Sequence, residues 1–157
     1  MMNKYLQNFP ASRLRRNRQS QWIRNLVSEN SLSVNDLIWP IFICDGNNIK
    51  EEVVSMPGVY RYSIDRLNEV TDQATDNKIN LIALFPNTPN NKKDKNGSEA
   101  LNEDNLVCKA LKKIKDQTLD LGIMCDVALD PYTSHGYDGL LSDSNQILND
   151  ESNEVLV

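Results

Sequence analysis

The chain has 157 residues, 39% of them apolar and 25% charged, with 17 basic and 22 acidic side chains for a net charge of −5. That size suits one ordinary domain with a buried core, and the balance fits a globular protein slightly poor in core residues. The negative charge excludes the whole chain as a polyanion binder, and the lack of any apolar run of about 18 residues excludes a transmembrane helix.

Residues 1–10 lack the apolar stretch of a secretory signal, so a cytoplasmic location is expected. The cysteines are Cys44, Cys108 and Cys125, few, odd in number and far apart. They suggest neither a disulfide framework nor a zinc spacing. Each has apolar neighbours, which predicts buried, reduced thiols.

Residues 1–18 read as a polar, basic arm holding Arg13, Arg15, Arg16 and Arg18. Such an arm is a solvated terminus or a docking segment for a neighbouring subunit. A nucleic-acid role is the weakest option for it, given the surrounding acidity. Residues 19–30 form an expected helix, with Trp22, Ile23, Leu26 and Val27 on one apolar face. Residues 37–44 are a continuous apolar run, which predicts a strand buried on both faces, as in a parallel sheet. Pro40 fits that strand only at an edge, an end or a bulge.

Residues 45–62 read as mostly irregular, punctuated by Gly46, Pro57 and Gly58. Ser63 is expected to cap a helix running to about residue 78. Residues 79–85 predict a second buried strand, followed by a long polar loop over 86–98. Asn102 is expected to cap a helix over 103–117, whose inner face holds Leu106, Val107, Ala110, Leu111 and Ile114. Residues 121–129 predict a third buried strand, interrupted by Asp126. A loop over 130–143 and a helix starting near residue 150 complete the pattern.

Strand–helix alternation argues for an α/β fold with parallel strands and right-handed crossovers. A (β/α)₈ barrel takes about 250 residues, so the chain would supply three of its eight strands. No Gly-x-Gly-x-x-Gly follows any strand, which disfavours dinucleotide binding. The expected organisation is an N-terminal arm and helix over 1–35, then the first three strand–helix units of a barrel over 36–157.

The third strand and its loop, residues 126–139, read DVALDPYTSHGYDG. In parallel α/β barrels, active sites lie at the C-terminal ends of strands. This stretch holds Asp126, Asp130 and Asp138, the only histidine, His135, and several hydroxyls. Carboxylates there could bind a substrate ammonium or a hard cation, or carry protons. The same residues are also ordinary turn formers, since Asp130-Pro131 and Asp138-Gly139 are common turn dipeptides. The lysines all fall in polar loops, in the arm or on helix faces. None occupies an apolar strand end, where desolvation would lower its pKa for Schiff-base work.

Six collinear stretches carry a family resemblance: Arg13-Leu14-Arg15-Arg16, Asp36-Leu37-Ile38-Trp39-Pro40-Ile41-Phe42, Ser55-Met56-Pro57-Gly58-Val59-Tyr60-Arg61, Ala83-Leu84-Phe85-Pro86, residues 126–139, and Ile147-Leu148-Asn149-Asp150-Glu151. In that order they resemble the N-terminal half of the porphobilinogen synthases, also called 5-aminolevulinate dehydratases. The resemblance implies a (β/α)₈ barrel preceded by an extended arm that wraps a neighbouring subunit. It implies a homo-oligomer, an octamer in the family, and a reaction that condenses two 5-aminolevulinate molecules to porphobilinogen through two Schiff-base lysines. In zinc-dependent members three cysteines occupy the positions of Ala128, Asp130 and Asp138, so this chain resembles the aspartate-type branch. Mg²⁺ is the cofactor that the resemblance implies for the complete enzyme, and zinc is disfavoured because carboxylates suit harder cations. Asp126, Asp130 and Asp138 are the expected substrate-site residues, with Asp130 and Asp138 holding a substrate amino group or a cation beside it.

The resemblance also places both Schiff-base lysines beyond Val157. The isolated chain is therefore expected to be an inactive piece of the enzyme, with poor solubility from its open strands. Two alternatives accompany this reading. One is a non-catalytic module that binds full-length subunits through the arm. The other is a different barrel enzyme, such as a metal-dependent aldolase. No membrane partner is expected.

Overall fold

The computed structural model describes Pro10, residues 13–117 and residues 120–157. Apart from Pro10, the residues without a signal-like stretch, and with them the first part of the expected arm, lie outside the described residues. The chain divides into two compact units, 1–33 and 34–157.

In the first unit a short helix, α1, spans Gln21–Leu26, shorter than the expected 19–30. Arg24 ties it locally, donating from Nη1 to the Arg18 carbonyl at 2.8 Å and from Nη2 to Gln21 Oε1 at 2.7 Å. None of its residues is buried, and Trp22 and Leu26 are 67% and 76% exposed. With so much of its apolar side exposed, a helix this short gains little from packing against the described residues.

The second unit is built on a five-stranded sheet in the order β2-β3-β1-β4-β5. Its strands are β1 (Ile38–Cys44), β2 (Lys50–Glu52), β3 (Tyr60–Ser63), β4 (Leu81–Asn87) and β5 (Gly122–Cys125). The three strands expected from apolar runs, β1, β4 and β5, lie side by side and parallel. Helices α2 (Leu67–Asp76) and α3 (Leu106–Lys115) make the crossovers between them. Ile43, Leu67, Val70, Ile82, Leu84, Ala110 and Ile114 form the core, each at most 1% exposed. A final hairpin, β6 (Leu140–Leu141) with β7 (Ile147–Leu148), leads into α4 (Asn149–Leu156).

Several local expectations are corrected. The segment read as irregular, 45–62, contains β2 and most of β3, an antiparallel pair pairing Lys50 with Tyr62 and Glu52 with Tyr60. Pro40 sits in a central strand, opposite Ala83 of β4. It is tolerated there because β3 pairs with β1 only from Phe42 to Cys44, leaving that side of Pro40 without a ladder. The strands are also less enclosed than their composition predicts. Ile38 is 47% exposed where β1 lacks its β3 neighbour, and Met124 is 44% exposed on the edge strand β5.

Ser63 does not cap a helix with its side chain. Its hydroxyl instead accepts from Ile49 N at 2.8 Å, holding the 45–49 turn against β3. The cap of α3 is Asn105 rather than Asn102, and its side chain accepts from Cys108 N at 2.9 Å. That bond satisfies one of the orphan amides of the first turn. Of the cysteines, only Cys44 is buried, while Cys108 is half-buried and Cys125 exposed. Both Cys108 and Cys125 lie off the enclosed side of their elements. At Gly122 an added Cβ would meet Leu81 Cδ1 at 2.9 Å and Asn80 O at 3.1 Å, so glycine lets β5 close onto β4.

Candidate functional site

Strand β5 ends at Cys125, four residues earlier than the apolar run suggests, so Asp126 lies in the loop rather than in the strand. The sheet therefore does not place the acidic loop by itself. Buried anchors do so instead. Leu129, Tyr132 and Thr133 are 0%, 7% and 1% exposed, and the backbone amides of Tyr132 and Thr133 both donate to the Leu129 carbonyl at 2.9 Å. The Thr133 hydroxyl donates to the Tyr137 carbonyl at 2.9 Å, closing the far side of the turn.

Asp138 reaches back across nine residues, and its Oδ1 accepts from Leu129 N at 2.7 Å. This bond brings Asp138 beside Asp130. Asp130 has its carboxyl pushed above the usual range, first by desolvation, then by the charge of Asp138, with a smaller push from Asp126. Lys93, from the long polar loop, acts in the opposite direction on it. Asp130 thus feels the charges of both other predicted aspartates, that of Asp138 more strongly than that of Asp126.

Asp126 also lines a cavity of about 190 Å³ with Cys108, Ala128, Tyr132, Val155 and Leu156. Burial pushes the Tyr132 phenol up to about 12, with Cys108, Cys125, Glu99 and Asp130 adding to the effect. It therefore stays protonated at neutral pH, an uncharged wall to this cavity. Burial pushes the Cys44 thiol up, and partial desolvation does the same for the exposed Cys125, so neither is a ready thiolate ligand.

The single histidine has a scaffolding role. His135 Nδ1 accepts from Tyr137 N at 3.2 Å, and Nε2 stands 3.2 Å from the Lys95 carbonyl. The first bond assigns the ring hydrogen to Nε2, which then donates to Lys95. Both nitrogens are thus engaged with main-chain groups.

Sequence reasoning missed the part played by residues 92–98. Asp94 and Thr133 form an isolated parallel bridge, with Asp94 N donating to Tyr132 O at 3.3 Å and Ser134 N donating to Asp94 O at 2.8 Å. Lys92 pairs with Asp45 after β1 at 3.0 Å and lies 3.9 Å from Glu99. The polar loop is thus stapled both to the end of β1 and to the acidic loop. An acid followed by Gly-Ser at the third and fourth positions, Asp94 to Ser98, is the turn signal that could have revealed it.

Among the described residues, no three His, Cys, Asp or Glu side chains are grouped as a metal cage. The Asp130–Asp138 pair is a hard, all-oxygen donor set. It suits a cation that keeps most of its waters, such as Mg²⁺, or an ammonium group, and it does not suit tetrahedral zinc.

Comparison with known proteins gives a consistent result. The sequence profile of the delta-aminolevulinic acid dehydratase family matches residues 11–157. The chain is 52% identical over 147 residues to the delta-aminolevulinic acid dehydratase of Bradyrhizobium diazoefficiens, covering 94% of this chain and 41% of that one. It is 44% identical over 140 residues to the Chlamydia pneumoniae dehydratase, covering 89% and 42%. The fold is similar to that of the Toxoplasma gondii dehydratase (porphobilinogen synthase) solved with the reaction product porphobilinogen. That match has a TM-score of 0.84 at 35% identity and covers 92% of this chain and 41% of that one. The chain spans about two-fifths of the length of the relatives it matches.

Proposed function

The chain belongs to the delta-aminolevulinic acid dehydratase family, a family of hydro-lyases, and from that premise we propose that it supplies the first three strand–helix units of a (β/α)₈ barrel. The complete barrel condenses two 5-aminolevulinate molecules to one porphobilinogen with loss of two waters. The observation that carries this reading is the acidic loop that follows the C-terminal end of the parallel strand β5, in which Asp138 folds back on Leu129 beside Asp130, where barrel enzymes place their chemistry.

Within that reaction, Asp130 and Asp138 hold the amino group of one substrate, or a Mg²⁺ beside it, by charge and by their free oxygens. Mg²⁺ when bound supplies positive charge at that pair. Asp126 orients the reacting atoms from the adjoining cavity, and the protonated Tyr132 helps exclude water from it. The lysines of the described residues stay outside this role. Lys92 is engaged with Asp45, and the pairing raises its pKa, opposite to what imine formation needs. Both imine-forming lysines are assigned to the remainder of the family's length.

A subunit-binding role for the arm accompanies this reading. Leu14, Trp22, Leu26 and Leu32 are all more than 60% exposed in the first unit, an apolar surface suited to a second copy of the protein.

The test compares this chain with an enzyme of full family length carrying the same sequence, each given 5-aminolevulinate and Mg²⁺. The long form is expected to make porphobilinogen and to be trapped by borohydride as a covalent adduct. The 157-residue chain is expected to do neither. An adduct on one of its own lysines would overturn the assignment.

A further inference from the structure

The acidic loop follows the four-residue strand β5, and its fixed points lie on another loop. Asp94 is the residue that joins them. Its main chain makes both hydrogen bonds of the bridge, to Tyr132 O at 3.3 Å and from Ser134 N at 2.8 Å. Its carboxylate turns the other way and accepts from Asn96 N at 2.9 Å and Ser98 N at 3.0 Å. Those two bonds fold residues 94–98 into a tight turn that presents Gly97 to the acidic loop. Gly97 is buried at φ +63°, and a Cβ there would stand 3.4 Å from Thr133 Cγ2 and 3.5 Å from Leu129 Cδ2. The neighbouring Lys95 carbonyl receives His135. One turn thus grips Leu129, Thr133, Ser134 and His135, and Leu129 in turn grips Asp138.

We propose that Asp94 is a positioning residue, which folds the 94–98 turn into a brace that sets where Asp130 and Asp138 stand. The proposal rests on the reading that those two aspartates face substrate. It requires the acceptor geometry of the Asp94 side chain rather than its charge. Asparagine can accept the same two amide hydrogens, and alanine can accept neither.

In an enzyme of full family length carrying this sequence, Asp94→Ala is expected to raise KM for 5-aminolevulinate and lower kcat. The combined loss in kcat/KM should be about ten- to a hundredfold, the scale of an ångström-sized misplacement of positioned groups. Asp94→Asn should restore both parameters to within about threefold, as the two residues cap amides equally well. A merely structural role would lower the active fraction and leave KM unchanged. In the 157-residue chain, Asp94→Ala should speed amide hydrogen exchange at Ser134 and Leu129 while leaving Ala110 of α3 unchanged. Unaltered exchange at Ser134 and Leu129, or unaltered KM and kcat in an active long form, overturns the proposal. A long form that makes no porphobilinogen even with Asp94 intact defeats the functional reading instead, and the exchange result then decides the brace by itself.

Discussion

Asp138 performs two tasks that substitution can separate. One oxygen holds the Leu129 amide at 2.7 Å, and the charge raises the carboxyl of Asp130. Asp138→Ala removes both. It leaves a backbone N–H without its acceptor at a residue that is 0% exposed, and such an orphan costs about 1–3 kcal/mol. For a protein of this size each kcal/mol moves Tm by roughly 2–4 °C, so a loss of about 2 kcal/mol lowers Tm by roughly 4–8 °C. Asp138→Asn keeps an acceptor oxygen toward Leu129 and removes only the charge. A neutral bond replaces a charge-assisted one, at a cost of about 1 kcal/mol or less. Thermal and urea unfolding of the two variants should therefore differ clearly, with Asp138→Asn close to the parent. Carbonyl ¹³C titration should show the Asp130 pKa falling in Asp138→Asn, yet staying above the ordinary range because partial desolvation, its largest cause, is untouched. Equal stability of the two variants, or an unmoved Asp130, would refute the division of labour. In the long-form enzyme both variants should lose most of their turnover, because the charge is what the substrate meets.

Three further outcomes follow from the scaffold. Asn105→Ala removes both the α3 cap at Cys108 N and the bond that Asn105 Nδ2 donates to Ala100 O at 3.3 Å, and should cost about 1–2 kcal/mol in urea unfolding, whereas Asn105→Asp keeps the cap but turns a carboxylate oxygen toward the Ala100 carbonyl and should recover little of that loss. Lys78 ends α2 at φ +58°, with its amide bonded to Thr75 O and that of Ile79 to Ala74 O, so Lys78→Gly should raise stability by about 0.5–1 kcal/mol, read as a higher Tm. Asp45 is held below the usual carboxylate range by its hydrogen bond from Lys92, Glu69 by Arg66, Asp65 by Ser63 and Asp94 by Ser98. Lowered folded-state values mean that their contribution is full above the ordinary range of about 4 and is lost as pH falls through the lowered values, so unfolding midpoints should drop on acidification below about pH 4. Asp130 has the opposite sign, its penalty appearing as pH rises toward its raised value, and being exposed it should soften the acid limb without reversing it.

The parallel strands β1, β4 and β5 were legible because apolar runs such as 37–44 and 79–85 have one dominant use in an alternating α/β pattern. Strands β2 and β3 were not. Lys-Glu-Glu carries no apolar periodicity and Tyr-Arg-Tyr-Ser alternates over only four residues, and their pairing is a tertiary event in which Lys50 stands over the rings of Tyr60 and Tyr62 at 5.2 and 5.4 Å. The cap of α3 was misplaced by one turn because Asn102 and Asn105 are chemically the same. Only the buried acceptor geometry of Asn105 distinguishes them. Within the candidate site, composition and order singled out the loop that holds the three aspartates. The Asp138–Leu129 bond was hidden, since nothing in a sequence says which of two oxygens is already engaged.

The acidic loop also explains why such a site can change its chemistry without losing its shape. Along 128–133, Leu129, Tyr132 and Thr133 are buried, while Asp130 is exposed between them and Ala128 only half-covered. The buried residues make the contacts to Gly97 and to the main chain of Asp94, so the anchoring is apolar packing and backbone hydrogen bonding. The exposed residues, to which the proposed function assigns the ligand chemistry, contribute little to the anchoring, with Asp138 the exception. Positions 128 and 130 can therefore be exchanged at small cost in stability, whereas position 138 must keep an acceptor for Leu129 whatever else it binds. A loop held by its neighbours rather than by its strand separates scaffold from chemistry in this way, and the tight coupling of Asp138 to both makes it the most constrained of the three carboxylates.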